Sequence, residues 1–228
     1  MTRAPASMSP FPTIVLVELT PKRAFASALD WPGWARAGRD EEAALAALAA
    51  SAARYAPVAA AAGFPLPAAG GPPDLEVVER AEGTATTAFG APDVRAALDA
   101  RPLDATEAGR LAALVDAAWA ALDRVVAVAP AELRKGPRGG GRDRDAVLRH
   151  VLGAENAYAR TIGIRLPEPA LGDAAGVAAQ RGAIRSLLAL PSDGTPLAGR
   201  KWPPRYAARR IAWHVLDHAW EIEDRSEG

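Results

Sequence analysis

Residues 204–224, PRYAARRIAWHVLDHAWEIED, decide how this chain is read. Ile211, Val215 and Ile222 fall at i, i+4 and i+11, which traces one apolar stripe of an α-helix turned toward a core. His214 and His218 occupy i+3 and i+7 of the same stripe. Histidines four residues apart on a helix carry their imidazoles on successive turns of one face, close enough to grip a single metal ion. An inward imidazole is costly unless its nitrogens are satisfied, so two on adjacent turns call for two partners or for one shared ion. The chain holds one more histidine, His150, within DAVLRHVLGAENAYARTI at 145–162. Val147, Val151, Ala154 and Tyr158 repeat the i, i+4, i+7, i+11 pattern there, with His150 again at i+3. All three histidines are therefore expected on core faces.

Working outward from that helix, the pattern from Asp104 onward is helical throughout. Asp104 with Glu107 makes a capping-box-like start, and Leu111, Leu114, Val115, Ala118, Leu122 and Val126 run down one face until Pro130. The His150 helix is expected over 143–163, with Pro167 and Pro169 beyond it. A third helix is expected over 173–190, with Val177, Ile184, Leu187 and Leu188 inward, and Pro203-Pro204 opens the fourth, where missing N–H groups do no harm. Four helices of this length predict a bundle over residues 103–228.

The preceding part reads differently. Thr13–Glu18 is a β-branched strand, Arg23–Leu29 a second, and Leu75–Arg80 a third. Asp30-Trp31-Pro32-Gly33-Trp34 places Pro then Gly at the centre of a type II turn, and Asp40 with Glu41 and Glu42 opens a helix through about Tyr55. Residues 63–73 form a Pro/Gly connector, and 81–102 either link the two parts or cover a groove between them. The expected fold is α+β: a small N-terminal α/β domain over 1–102, strand-strand-helix-strand, followed by the helical domain over 103–228. Residues 1–11, rich in Pro and Ser, are expected to fray.

The chain has 228 residues, 50% hydrophobic and 24% charged, enough for real cores in both parts. Twenty-seven basic against 27 acidic residues leave no global electrostatic reason to expect nucleic acid or an anionic membrane as partner. With no cysteine, a metal must be held by histidine and carboxylate, and a reacting thiol must come from a small molecule. No apolar run approaches the length of a membrane span and the start lacks a signal-peptide arrangement, so a cytoplasmic location is the default expectation.

Two resemblances follow from these residues. A helical bundle with one histidine on its second helix (LRHVLGAENAYAR) and a His-x-x-x-His pair on its fourth (AWHVLDHAWE) resembles the DinB-like superfamily, which includes metal-dependent maleylpyruvate isomerases and bacterial thiol transferases. That resemblance covers roughly 103–228. It implies one divalent ion, zinc, nickel or iron, on His150, His214 and His218, with a small thiol as cosubstrate and a small molecule as substrate. The run FASALDWPGWARAGRDEEAALAAL resembles the HicB-like antitoxin domain through Phe25, Asp30, Pro32, Gly33, Gly38, Asp40, Glu42 and Ala43, and it implies a small α/β fold over about 13–56.

Around the histidines, Glu221 lies at i+3 from His218 and is read as an acceptor supporting that ring, as a proton shuttle, or as a solvated carboxylate at the helix end. Asp217 is read as a flank ion-pair former. Tyr158 is read as a hydroxyl offered to substrate or as core filling with a polar tip. The loop Arg138-Gly139-Gly140-Gly141-Arg142-Asp143-Arg144 offers free N–H groups and Arg142 and Arg144 to a carboxylate or phosphate, or is a plain connector. Trp213 and Trp220 lie off the histidine stripe and call for cover from the N-terminal part or from a second subunit, which would make a homodimer. Two functions fit: an enzyme that activates a small thiol or water for transfer, isomerisation or hydrolysis, and a non-catalytic, metal-stabilised module that binds a ligand or protein.

Overall fold

The computed structural model describes residues 12–66, 72–135 and 141–226. The expectations for 1–11, for 67–71 of the connector and for Arg138, Gly139 and Gly140 lie outside them.

The chain runs β1 (Thr13–Thr20), β2 (Arg23–Ala28), β3 (Ala35–Gly38), α1 (Glu41–Ala50), α2 (Ala52–Ala61), β4 (Leu75–Glu82), α3 (Ala85–Phe89), α4 (Ala105–Val128), α5 (Arg144–Thr161), α6 (Ala174–Leu188) and α7 (Pro204–Ser226). It is an α+β protein in which a four-stranded mixed sheet, ordered β3-β2-β1-β4, precedes several helices. β1 pairs antiparallel with β2 and parallel with β4, and the parallel pairing requires the crossover that α1 and α2 supply.

The N-terminal part departs from the expected strand-strand-helix-strand order in two ways. Ala35–Gly38 is a further strand, antiparallel to β2, too short and too rich in small residues to show a period of two. The single helix expected through Tyr55 is two helices that meet at Ser51, and the second runs on to Ala61 across Pro57. Asp40 caps α1 by accepting from the Ala43 N–H, as its carboxylate predicted. Among the described residues no single helix is long and apolar enough to cross a membrane.

The later helices fall within about two residues of their expected bounds. Asp104 caps α4 by accepting from the Glu107 N–H at 2.8 Å. α4 packs on α6 and α7, and α5 packs on α6 and α7. One apolar core runs without interruption from Val15 and Val17 of the sheet through Trp34 and Tyr55 to Leu111, Leu122, Ile211 and Ile222. The segment 81–102 is stitched onto α7: Tyr206 Oη donates to the Asp93 carbonyl at 3.1 Å and Arg210 Nη1 to the Pro92 carbonyl at 2.9 Å.

The Pro32-Gly33 turn brings the two parts together. Trp34 N–H closes it on the Trp31 carbonyl at 2.9 Å, and Gly33 takes a φ of +94°, as a type II turn requires. Its bare α-carbon rests on α7, where a Cβ would meet Leu216 Cδ1 at 2.6 Å and Ala212 Cβ at 3.2 Å. Trp34 then turns inward, donating Nε1 to the Leu48 carbonyl and to Ser51 Oγ while stacking on Tyr55. Trp213 and Trp220 are covered within the chain. Trp213 meets Phe25 edge-on, and Trp220 lies under the guanidinium of Arg36 at 3.9 Å from its centroid.

Gly33→Ala is expected to cost about 2 kcal/mol, through a strained backbone and a collision with α7. Gly63→Ala serves as the control: its φ is +84° but nothing lies within 4 Å of the added Cβ, so it should cost the backbone strain alone, about 1 kcal/mol, and less than Gly33→Ala. Urea midpoints of the two variants measure the difference.

Candidate metal centre

α5 presents His150 to α7, which presents His214 and His218 one turn apart. The three rings are mutually in contact, with centroids 5.1 Å apart for His150–His214, 4.9 Å for His150–His218 and 4.6 Å for His214–His218. One ligand atom from each lies within 4.8 Å of the other two. His214 is buried at 7% exposure and His218 is half-buried. His150 is the most accessible of the three, which corrects the expectation that all three face a core. The buried face of α5 runs through Val147, Val151, Leu152, Glu155, Asn156 and Ala159, rotated from the stripe expected through Ala154 and Tyr158, so His150 stands at its margin and the cluster is open to solvent on that side.

The donor set fits a divalent ion. His150 Nε2 and His214 Nε2 are 3.2 Å apart. Two nitrogens at about 2.1 Å from one ion are about 3.0 Å apart at right angles and about 3.4 Å apart in a tetrahedron. The same separation also serves an N–H···N hydrogen bond between the rings when one carries its proton on Nε2. His214 Nδ1 is buried with no partner among the described residues, so this ring is held by packing and by its neighbours.

Burial first, then the nearby His218, pushes the His214 pKa down to about 2, and the same two causes lower that of His150. Both rings are thereby kept neutral, the form that binds metal. Arg142 is exposed and adds to this by disfavouring the charged form of both.

Glu221 takes the acceptor role. Its Oε2 lies 2.8 Å from His218 Nδ1 and its Oε1 accepts from Arg225 Nη1 at 2.8 Å, and the bond to His218 is the main cause that lowers its pKa. Both oxygens are engaged. Arg225 is the residue sequence reasoning passed over; its spacing of four from Glu221, ideal for a helical ion pair, was the available signal.

Tyr158 stands edge-on to His214 at 5.6 Å and is backed by Trp202 at 5.1 Å, with the Arg210 guanidinium 5.5 Å from its ring. Burial raises the pKa of its hydroxyl, so it keeps its proton at neutral pH. Asp217 lies 3.8 Å from Arg36 of β3, the flank pairing expected of it. Arg144 is committed elsewhere: Nη1 donates to the Ala129 carbonyl and Nε to Asp145, tying the start of α5 to the end of α4.

Comparison of the chain with protein-family models, with curated proteins and with solved structures finds no match.

Because the folded pKa of His214 lies below that of the unfolded chain, the unfolded state takes up a proton as pH falls through about 6.5 while the folded state does not. Stability of the metal-free protein is therefore expected to drop between pH 7 and pH 5. His214→Gln should flatten that part of the melting-temperature profile, and an unchanged slope would contradict a neutral, buried His214.

Proposed function

We propose that this chain is a mononuclear metal protein on a DinB-like plan, in which His150, His214 and His218 hold one zinc, nickel or iron ion and act on a small molecule by transfer, isomerisation or hydrolysis. The observation that carries the reading is the convergence of all the chain's histidines, from two helices 64 residues apart in sequence, on one point. The packing of α4 and α5 against α6 and α7 supports reading these helices as a four-helix bundle, and the sheet with its crossover helices supports the HicB-like reading of the N-terminal part.

Three imidazoles leave coordination positions open, and an ion held there supplies the Lewis acidity that makes a low-molecular-weight thiol or water nucleophilic near neutral pH. The thiol is exogenous because the chain contains no cysteine. His150 at the open margin gives a small molecule its approach. Tyr158 holds a proton at its hydroxyl beside His214, and Arg142 provides the positive charge that favours an anionic substrate or thiolate.

One observation favours the second reading, a metal-stabilised binding module without catalysis: both oxygens of Glu221 are occupied, so the carboxylate nearest the histidines is not free to act as a base.

Protein purified without an affinity tag is expected to carry about one divalent ion per chain by elemental analysis, and His150→Ala, His214→Ala or His218→Ala should each remove most of it, because two imidazoles form a weak site. Near-stoichiometric metal in the His150→Ala protein would overturn the triad. Chelation is expected to lower the melting temperature by mass action while the far-ultraviolet helix signal persists, since the apolar stripes of α4–α7 remain buried. Global unfolding on chelation would favour the structural reading.

A further inference from the structure

The last turn of α7 and the chain that leads into α5 clasp each other through reciprocal bonds between Arg134 and Arg225. Arg134 N–H donates to the Arg225 carbonyl at 3.0 Å, and Arg225 Nε donates back to the Arg134 carbonyl at 2.8 Å. Arg134 Nη2 adds a bond to the Asp224 carbonyl at 2.9 Å. The clasped segment is tied in turn to the start of α5, through Leu133 N–H to Asp143 Oδ1 and Arg144 N–H to the Ala131 carbonyl, each at 3.3 Å. The same guanidinium that grips Arg134 holds Glu221 through Nη1, and Glu221 accepts from His218.

A carboxylate accepts but does not donate, so the hydrogen between Glu221 and His218 belongs to Nδ1 of the ring. That leaves Nε2 of His218 as the lone-pair nitrogen. His214 has no carboxylate behind it: its Nδ1 has no partner among the described residues, and its Nε2 contact with His150 Nε2 at 3.2 Å can have either ring as donor. On His218 the partner can only accept, so the tautomer is set, and the group that sets it is aligned by Arg225.

We propose that Glu221 and Arg225 are positioning residues for the metal centre: Glu221 fixes His218 as an Nε2 ligand, and Arg225 aligns Glu221 while holding together the ends of the two helices that carry the histidines. The metal-affinity part rests on the function proposed above; the tautomer part does not.

The test uses the full chain with 15N-labelled histidine. In the metal-free wild type, long-range 1H–15N spectra at pH 8 should show His218 as the Nδ1–H tautomer. Glu221→Ala should move it to the Nε2–H form, whereas Glu221→Gln, which keeps an acceptor oxygen, should retain Nδ1–H. Zinc affinity, read by competition with a chromophoric chelator, should fall about 10–100-fold in Glu221→Ala and in Arg225→Met, with Glu221→Gln recovering part of the loss. A His218 tautomer unchanged in a folded Glu221→Ala protein, or zinc affinity within threefold of wild type in that variant, would overturn the proposal. Should Arg225→Met fail to fold, the two Glu221 variants still decide it. A wild type that binds no zinc would refute the metal reading alone, and the tautomer comparison would still stand or fall by itself.

Discussion

Helix α7 is surrounded: 15 of its 23 residues are buried, including Arg205, Arg209 and His214. The burial is densest over 204–216, where the arginines have no solvated face and each needs a partner from whatever element lies against it. Arg209 Nη2 reaches Asp99 at 2.6 Å, Arg205 Nη2 reaches Glu107 at 2.8 Å, and Arg210 Nη1 takes the Pro92 carbonyl. These partners come from the segment before α4 and from α4 itself. Asp99 shows the size of the constraint, because burial raises its carboxyl pKa against the pull of Arg209. Removing one member of such a pair leaves an uncompensated buried charge, at a cost of about 3–5 kcal/mol.

The other contacts of α7 follow from the same geometry. Gly33 lets a tight turn of the N-terminal part sit directly on Ala212 and Leu216, and Arg54 of α2 reaches Glu223 and the Trp220 carbonyl near the C-terminal end. The sheet and the later helices thus share one core, and the N-terminal part supplies cover for Trp213 and Trp220.

Polar groups left without partners gather near this junction. Ser27 Oγ, Trp213 Nε1 and Arg209 Nε are buried and unpaired, and all three residues line a small cavity of about 20 Å³ between the sheet and α7. A volume of that order accommodates an ordered water. The buried carboxylate of Glu155 is the opposite case: it accepts from Trp119 Nε1 at 2.8 Å and pairs with Arg181, and it joins α4, α5 and α6 on the side of α5 away from the histidines. Elsewhere satisfaction is partial: Gln180 of α6 accepts from Asn156 Nδ2 of α5 at 2.7 Å, while its own Nε2 finds no partner among the described residues.

The amino-acid sequence by itself determined the elements with strong local signals. The four long helices, the caps at Asp40 of α1 and Asp104 of α4, the Pro32-Gly33 turn and the one-turn spacing of His214 and His218 were all legible, because helix period, capping and turn chemistry act over a few residues. Strand β3 was not, because four small residues carry no period and become a strand only by pairing with β2. Tertiary structure alone decided that His150 stands at an open margin, that Arg144 turns back onto Ala129, and that Arg225 joins Glu221 to Arg134. These depend in turn on how α5 sits against α7, how the start of α5 meets the end of α4, and how the end of α7 meets the segment before α5, all set by packing between elements rather than by any pattern along one of them.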